Sequence, residues 1–275
     1  MSYVLGHSTE ELERLTFQAQ VLQPITLRLL QNAGIKPGMR ILDLGCGAGD
    51  VAMLAGDLVG PSGFVLGIDR SPDAVELATH RASAAEQDHV RFATCAIEQF
   101  SSAEAFDMVV GRYVMVHQAD VPAFIRKAAS LTKPGGIIAF HEIVLLDPMV
   151  ESHPVVPLWD RTGNWIVAVL RAGAPNHDAA SRMLEHFANS GLPPPSLFCE
   201  RPIGGGKDSS MYRWARESVR TILPHLVKLG LVQAGSEDVD TYESRLRTAT
   251  VDAHSQLIGP MQIGAWVRVG GPAER

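Results

Sequence analysis

Asp43-Leu44-Gly45-Cys46-Gly47-Ala48-Gly49-Asp50 is the segment of this chain whose residue types most constrain chemistry. Glycines at alternate positions let backbone come close to a ligand and turn directly into a helix N-terminus, where N–H groups point outward. The spacing is GxGxG, not the GxGxxG of dinucleotide sites, and acids flank it on both sides. Two carboxylates beside a pyrophosphate would repel it, so the loop suits a ligand whose nearby end is cationic or zwitterionic. Asp69 follows twenty residues after Gly49, in Gly67-Ile68-Asp69. An acid at that strand end can accept both hydroxyls of a ribose, or simply serve a turn or helix cap.

Three further residues could handle protons. His117 follows the fourth expected strand and, at its ordinary pKa of ~6.5, would suit deprotonation of an acidic hydroxyl or carbon acid. It could equally cap the next helix or pack against the loop. His141 and Glu142 end an apolar strand and could face an acceptor; position 145 is Leu, so this is not the HExxH of zinc proteases. All four Trp lie after residue 150. Trp159, Trp165 and Trp214, with Tyr113, are candidate walls of an acceptor pocket, against the commoner use of such residues as core.

Those residues need elements to hold them. Glu10 to Gln31 has the spacing of an amphipathic helix, interrupted or kinked near Pro24. Arg40–Leu44, Phe64–Ile68, Val90–Thr94 and Phe106–Val110 read as strands. Helices fall at Asp50–Val59, at Pro72–Ala85 with Ser71 as its cap, and at Val121–Leu131. Lys133-Pro134-Gly135-Gly136 reads as a turn into a fifth strand, Ile137–Leu145. Alternating βα units imply a parallel, doubly wound sheet with ligands beyond the strands' carboxyl ends. After Asp147-Pro148 helices are expected at Val155–Leu170, Ala179–Asn189, Met211–Leu229 (broken near Pro224) and Glu237–Gln256, and strands at Leu197–Ile203 and Met261–Val269. These later helices read as insertions covering one sheet.

Composition narrows the function classes. The 275 residues carry 24 Lys+Arg against 30 Asp+Glu, a net charge of −6, which disfavours a nucleic-acid or anionic-membrane footprint. A hydrophobic content of 46% argues for a folded chain. Three Cys without a CxxC indicate neither a disulfide framework nor a zinc site, and no metal is expected. No apolar run reaches the ~18 residues of a membrane span, and the first residues lack the apolar core of a signal peptide, so a cytoplasmic location is expected.

Four motifs in order resemble the class I S-adenosylmethionine-dependent methyltransferases. ILDLGCGAGD resembles that family's first motif and GIDRSPDAV its second; the run from Phe106 to His117 is similar to its fourth-strand motif, and Lys133-Pro-Gly-Gly136 to its turn before strand five. The nearest likeness is to the ubiquinone/menaquinone-type enzymes and their relatives in secondary metabolism. The resemblance implies that Asp43 and the Gly45 backbone hold the methionine amino end. It implies further that Cys46 and Gly47 line the loop, Asp69 binds the ribose, Arg70 flanks the adenine, and the Arg112 carbonyl lies near the sulfonium. Family members usually place an acid against the adenine amine after strand three. Here Cys95-Ala96-Ile97 stands there, which leaves backbone, water or Glu98. Relatives also use an N-terminal helix as a cover, which brings in Tyr3 and Gln18; aromatic contact with a sulfonium would be cation–π in character. No Asn/Asp-Pro-Pro-aromatic run of the base-methylating enzymes follows strand four.

The expected fold is therefore α/β, a doubly wound, seven-stranded, mostly parallel Rossmann-like methyltransferase sheet. Residues 1–34 would form a helical cover, 35–150 the S-adenosylmethionine-binding core, and 151–275 helical lid insertions plus the last strands. The expected reaction is methyl transfer to a small organic acceptor, at oxygen or carbon before nitrogen, driven mainly by positioning and releasing S-adenosylhomocysteine. Cyclisation or lyase chemistry with the same cofactor, and non-catalytic sensing of it, are the alternatives. No nucleic-acid partner is expected, and a homodimer is compatible with the sequence.

Overall fold

The computed structural model describes residues 9–270, with side chains from residue 21 to 270. Helix α1 (Thr9–Ala33) precedes an alternation of β1 (Arg40–Leu44), α2 (Asp50–Val59), β2 (Phe64–Asp69), α3 (Pro72–Ala84), β3 (Val90–Thr94), β4 (Phe106–Arg112), α4 (Val121–Ser130) and β5 (Thr132–Ile143). The chain then runs through β6 (Glu151–His153), α5 (Pro157–Gly173), α6 (Met183–Asn189), β7 (Ser196–Glu200) and β8 (Ile203–Gly205). It ends with α7 (Ser210–Lys228), α8 (Tyr242–Asp252), β9 (Gln256–Ile258) and β10 (Gln262–Arg268). The main sheet has seven strands in the order β3-β2-β1-β4-β5-β10-β7. The pairs from β3 to β5 are parallel, and β10 runs antiparallel to both neighbours. This is the doubly wound, mostly parallel sheet that the alternation predicts, with the seven strands that the resemblance implies.

Strand pleat decides which helices cover which face. Ile41, Met108, Val110, Ile137 and Ala139 pack with Leu29, Leu30 and Ala33 of α1 and with α2. Their alternate neighbours Leu42, Val109, Ile138 and Phe140 pack with Phe124 and Ile125 of α4 and Phe187 of α6. Ser71 caps α3 as expected, its hydroxyl accepting from the Ala74 N–H at 3.3 Å. The order reverses between β1 and β4, and the loops after these two strands diverge there, opening a crevice.

Several expectations are corrected. Pro24 and Pro224 lie inside unbroken helices, because buried residues on both sides of each, Leu22 and Ile25, Ile222 and Leu226, hold the helix on course. The 133–136 run belongs to β5 as a bulge: Phe106 pairs with Thr132 but Met108 with Ile137. The single strand expected at 197–203 is two, with β7 in the main sheet and β8 in a separate sheet of order β6-β9-β8. The last helix is shorter than expected, since residues 256–258 form β9, and 179–182 is a 3-10 turn before α6. The lid is thus helices plus a small antiparallel sheet. Among the described residues no helix is long and apolar enough to cross a membrane.

The lid has its own core, in which Trp159, Trp214, Tyr212, Tyr242 and Leu246 are buried together. Trp159 is fully buried, its indole N–H donating to the Glu151 and Ile258 carbonyls at 3.0 and 3.2 Å, so one ring ties α5 to β6 and β9. Trp159→Ala should lower unfolding free energy by about 3–5 kcal/mol in urea titrations, the cost of a large aromatic cavity. A loss under about 1 kcal/mol would refute that structural role.

Candidate active site

The crevice between the β1 and β4 loops is a cavity of about 360 Å³. One end is polar and backbone-rich. Gly45, Gly47 and Gly49 all take positive φ, at 68, 51 and 85°, and Gly49 is the residue from which α2 starts. A Cβ on Gly49 would stand 2.8 Å from the Phe92 ring, so glycine is required there for conformation and for space. Arg81 of α3 holds the loop from behind, donating to the Ala48 carbonyl at 2.5 Å and pairing with Asp50 at 2.7 Å.

Asp43 is buried on the cavity wall, and among the described residues neither of its oxygens has a hydrogen-bond partner. Burial pushes its carboxyl up to about 8; Arg112 and the Ala52 N–H offset only part of that, while Asp69 and Asp50 add to it. The first motif's Asp thus lies on the cavity wall with hydrogen-bonding capacity that no described side chain takes up. Asp50, by contrast, is neutralised by Arg81 and lies 3.9 Å from Arg112. Asp43 therefore carries the charge argument that the sequence divided between two acids. Asp69 accepts from the Gly47 N–H at 3.0 Å and the Ser71 N–H at 2.9 Å, which fixes it on the rim with lone pairs to spare. Cys46, Arg70, Cys95, Ala96, Ile97 and Arg112 also line the cavity. Tyr3 lies outside the described residues, and of Gln18 only its place in α1 is described.

The other end is apolar, walled by Ile143, Met149, Ile166, Leu170, Trp214 and Ile222. Apart from Trp214, sequence reasoning missed this chamber. Its signals were Ile166 and Leu170 on α5, and Trp214, Ser218 and Ile222 on α7, each set spaced by four so as to share a helix face. His117 lines the cavity from a 3-10 turn (Met115–His117), within reach of the charges of Arg70 and Asp69. It is not the cap of α4, because Asp120 is, accepting from the Ala123 N–H at 2.8 Å. Burial, helped by Arg70, pushes the His117 imidazole down to about 4, so it is neutral at pH 7 and weaker as a base than the sequence implied.

The His141-Glu142 pair is split by the pleat, and neither side chain lines the cavity. His141 faces α1, with Nδ1 2.9 Å from the Thr26 hydroxyl and Nε2 3.1 Å from Gln262 Oε1. Burial and Arg112 push it down to about 3, which makes it a neutral bridge. Glu142 faces the other way and accepts from the Val114 and Met115 N–H groups, both at 2.8 Å. It caps the turn that carries His117, and burial raises its carboxyl to about 8. Both side chains are thus bonded to neighbouring elements rather than turned toward the cavity. Tyr113 lines the cavity at φ 57°, a strained conformation for an aromatic residue, with its hydroxyl donating to Gln262 at 2.7 Å. Trp214 lines the cavity, but Trp159 and Trp165 do not. Trp159 is turned into the lid core, and Trp165 lies half-buried under Arg161, whose guanidinium is 5.0 Å from its ring.

Residues 35–173 match the family model described as a methyltransferase domain. The chain is 31% identical over 161 residues to the nocamycin O-methyltransferase of Saccharothrix syringae, covering 56% of this chain and 51% of that one. It is 34% identical over 102 residues to a ubiquinone biosynthesis O-methyltransferase of Rhodopseudomonas palustris, covering 37% and 38%. The chain thus spans about half, or less, of the length of these curated relatives. In structure it is similar to a protein of Bacillus halodurans described as a candidate methyltransferase, at a TM-score of 0.59, 15% identity and coverage of 90% and 99%. That likeness is one of fold.

Raised carboxyls make stability fall as pH rises. Between the unfolded value near 4 and the folded value of about 8, the native state binds more protons than the unfolded one, for Asp43 and Glu142 alike. Urea titrations from pH 5 to 8 should show this decline, at about 1.4 kcal/mol per pH unit for each group. Asp43→Asn and Glu142→Gln should each remove one proton's share of the slope. A slope unchanged in both variants would refute the assignment.

Proposed function

The chain belongs to the methyltransferase-domain family, and from that premise we propose that it transfers a methyl group from S-adenosylmethionine to a small, largely apolar organic acceptor, at a hydroxyl oxygen in preference to carbon. The observation that carries this reading is the buried Asp43 carboxyl, without a side-chain hydrogen-bond partner among the described residues, on the wall of a cavity that also has an apolar lining. The residues present fit the cofactor. Asp43 would receive its ammonium, the positive-φ glycine loop would lie against it, and Asp69 would accept the ribose hydroxyls. Arg70 and the 95–97 backbone stand where the adenine end would lie. When bound, the cofactor supplies a methyl group on a sulfonium, already a strong electrophile.

The protein's own task is then mainly positioning and exclusion of water. Ile143, Met149, Ile166, Leu170 and Ile222 offer an acceptor apolar surface and no hydrogen bond, so its ring or chain would be held by burial. His117, neutral above about pH 4, is placed to take a proton at its ring nitrogen from an acidic hydroxyl, but is too weak a base for an alkyl alcohol. Preference for oxygen is supported by the relatives named as O-methyltransferases.

Calorimetry with S-adenosylhomocysteine and with NAD tests the cofactor. Binding of the first and not the second is expected, and tight NAD binding without the other overturns the reading. Asp69→Ala should weaken S-adenosylhomocysteine binding by about 1–3 kcal/mol, since charge-assisted hydrogen bonds are lost. With a turnover assay in hand, His117→Ala should lower kcat by less than about 100-fold and leave cofactor affinity unchanged. A loss of about 10³–10⁴-fold would instead make proton transfer the dominant device. Mass spectrometry of the products should find S-adenosylhomocysteine; methylthioadenosine would mark a lyase or cyclisation reaction.

A further inference from the structure

Ser218 stands where the reading above asks only for apolar surface. On α7 it lies four residues after Trp214 and four before Ile222, so the three share one helix face, and all three line the cavity. Ser218 is 4% exposed, and among the described residues its hydroxyl makes no hydrogen bond. A buried hydroxyl inside a helix has a ready partner in the carbonyl four residues back. Thr26, Thr162 and Thr250 use it, at 3.3, 2.8 and 2.7 Å. Thr221 of α7 also lacks a partner, but it does not line the cavity. Ser218 thus keeps an unengaged hydroxyl on the chamber wall, in the middle of an apolar stripe that an alanine would continue.

The surroundings of that hydroxyl limit what it can hold. The wall that α5 and α7 give the cavity is Ile166, Leu170, Trp214, Ser218 and Ile222, with no charged side chain. The neighbouring Glu217 does not line the cavity and is engaged by Arg216 and, at 3.2 Å, by Arg220. An ionic substituent against this wall would lose its hydration without gaining a counter-charge. A neutral oxygen would exchange water for the Ser218 hydroxyl, which can donate to a carbonyl or accept from a hydroxyl. Resting on the reading of this chamber as the acceptor's, we propose that Ser218 selects acceptors whose apolar body carries a second, neutral oxygen besides the hydroxyl that is methylated, and holds that oxygen by a hydrogen bond. One directional bond in an otherwise apolar chamber also fixes which way round a flat body lies, and so which hydroxyl is presented for transfer.

Binding calorimetry on the full chain, with and without S-adenosylhomocysteine, tests this with a naphthol, the dihydroxynaphthalene isomers that add one neutral oxygen, and a hydroxynaphthoic acid that adds a charge instead. Wild type should bind at least one dihydroxynaphthalene about 3–10-fold more tightly than the naphthol, the range for a neutral hydrogen bond, and the acid no more tightly than the naphthol. Ser218→Ala should bind the naphthol as wild type does and lose the preference for the second oxygen, whereas Ser218→Thr, which keeps a hydroxyl, should retain part of it. The melting temperature of Ser218→Ala should equal or exceed that of wild type, since no bond within the fold is lost. A fall of several degrees would give the hydroxyl a structural task and overturn the inference. So would a preference for the acid, wild-type binding of every dihydroxynaphthalene no tighter than of the naphthol, or a preference undiminished in Ser218→Ala. Binding of S-adenosylhomocysteine, measured alongside, bears separately on the cofactor reading: its absence in wild type removes that reading, while the naphthalene series on the free protein still decides the role of Ser218.

Discussion

An ionisable group buried without a partner is among the costliest features a fold can keep. Asp43 is such a group, at the carboxyl end of a central strand, and much of the surrounding structure makes sense as a response to it. Among the described residues only Arg112 and the Ala52 N–H offset its burial, and the loop that follows is glycine-rich and borders the cavity. That loop is made rigid by other means: Arg81 clamps Ala48 and Asp50 from α3, and Phe92 fills the space that a side chain at Gly49 would need. The loop's shape is therefore set by contacts on its far side, which leaves the Asp43 carboxyl on the cavity wall.

Sheet pleat then divides the labour. Asp43, Arg112 and His141 share the face covered by α1 and α2, whereas Glu142, one residue on from His141, serves the opposite face. On the first face, Thr26 of α1 links to both His141 and Arg112, so the helix preceding the core is hydrogen-bonded to the site itself. On the second, Glu142 collects the N–H groups of the turn that presents His117. Two adjacent titratable residues that look like an acid–base pair in one dimension become, in three, the separate anchors of two loops.

The core was legible in the sequence wherever glycine and proline punctuate it. The bounds of β1, α2 and β3 follow from Gly45, Gly49, Gly60-Pro61 and the short apolar runs, and the glycine loop with Asp69 could be located before any coordinates. The lid was legible only as helices. Its strands β6, β8 and β9 have three residues each, too few to show a period of two, and they pair across long stretches of chain. Trp159 and Trp214 could not be told apart by type, since both pack in the lid core and only their position on α5 and α7 turns one ring inward and the other to the cavity. Nor could the sequence show that Asp50 is neutralised, because Arg81 and Arg112 reach it from different elements.

The antiparallel pairing of β5 with β10 joins Ile143 to Gln262, well over a hundred residues apart, with the entire lid as the intervening loop. Closing so long a loop from an unstructured chain is entropically expensive, and contacts of such high sequence separation form late. The small sheet ties the same two stretches a second time: β6 begins a few residues after β5, and β9 ends a few residues before β10, so their pairing holds both ends of the intervening segment. The segment between β5 and β10 therefore contributes walls to the cavity and is itself tied shut at its base by two pairings. Gln262, which bonds both His141 and Tyr113, stands at the first pair of that closure. The residue that closes that long loop and the anchor of the cavity-lining Tyr113 are thus one and the same.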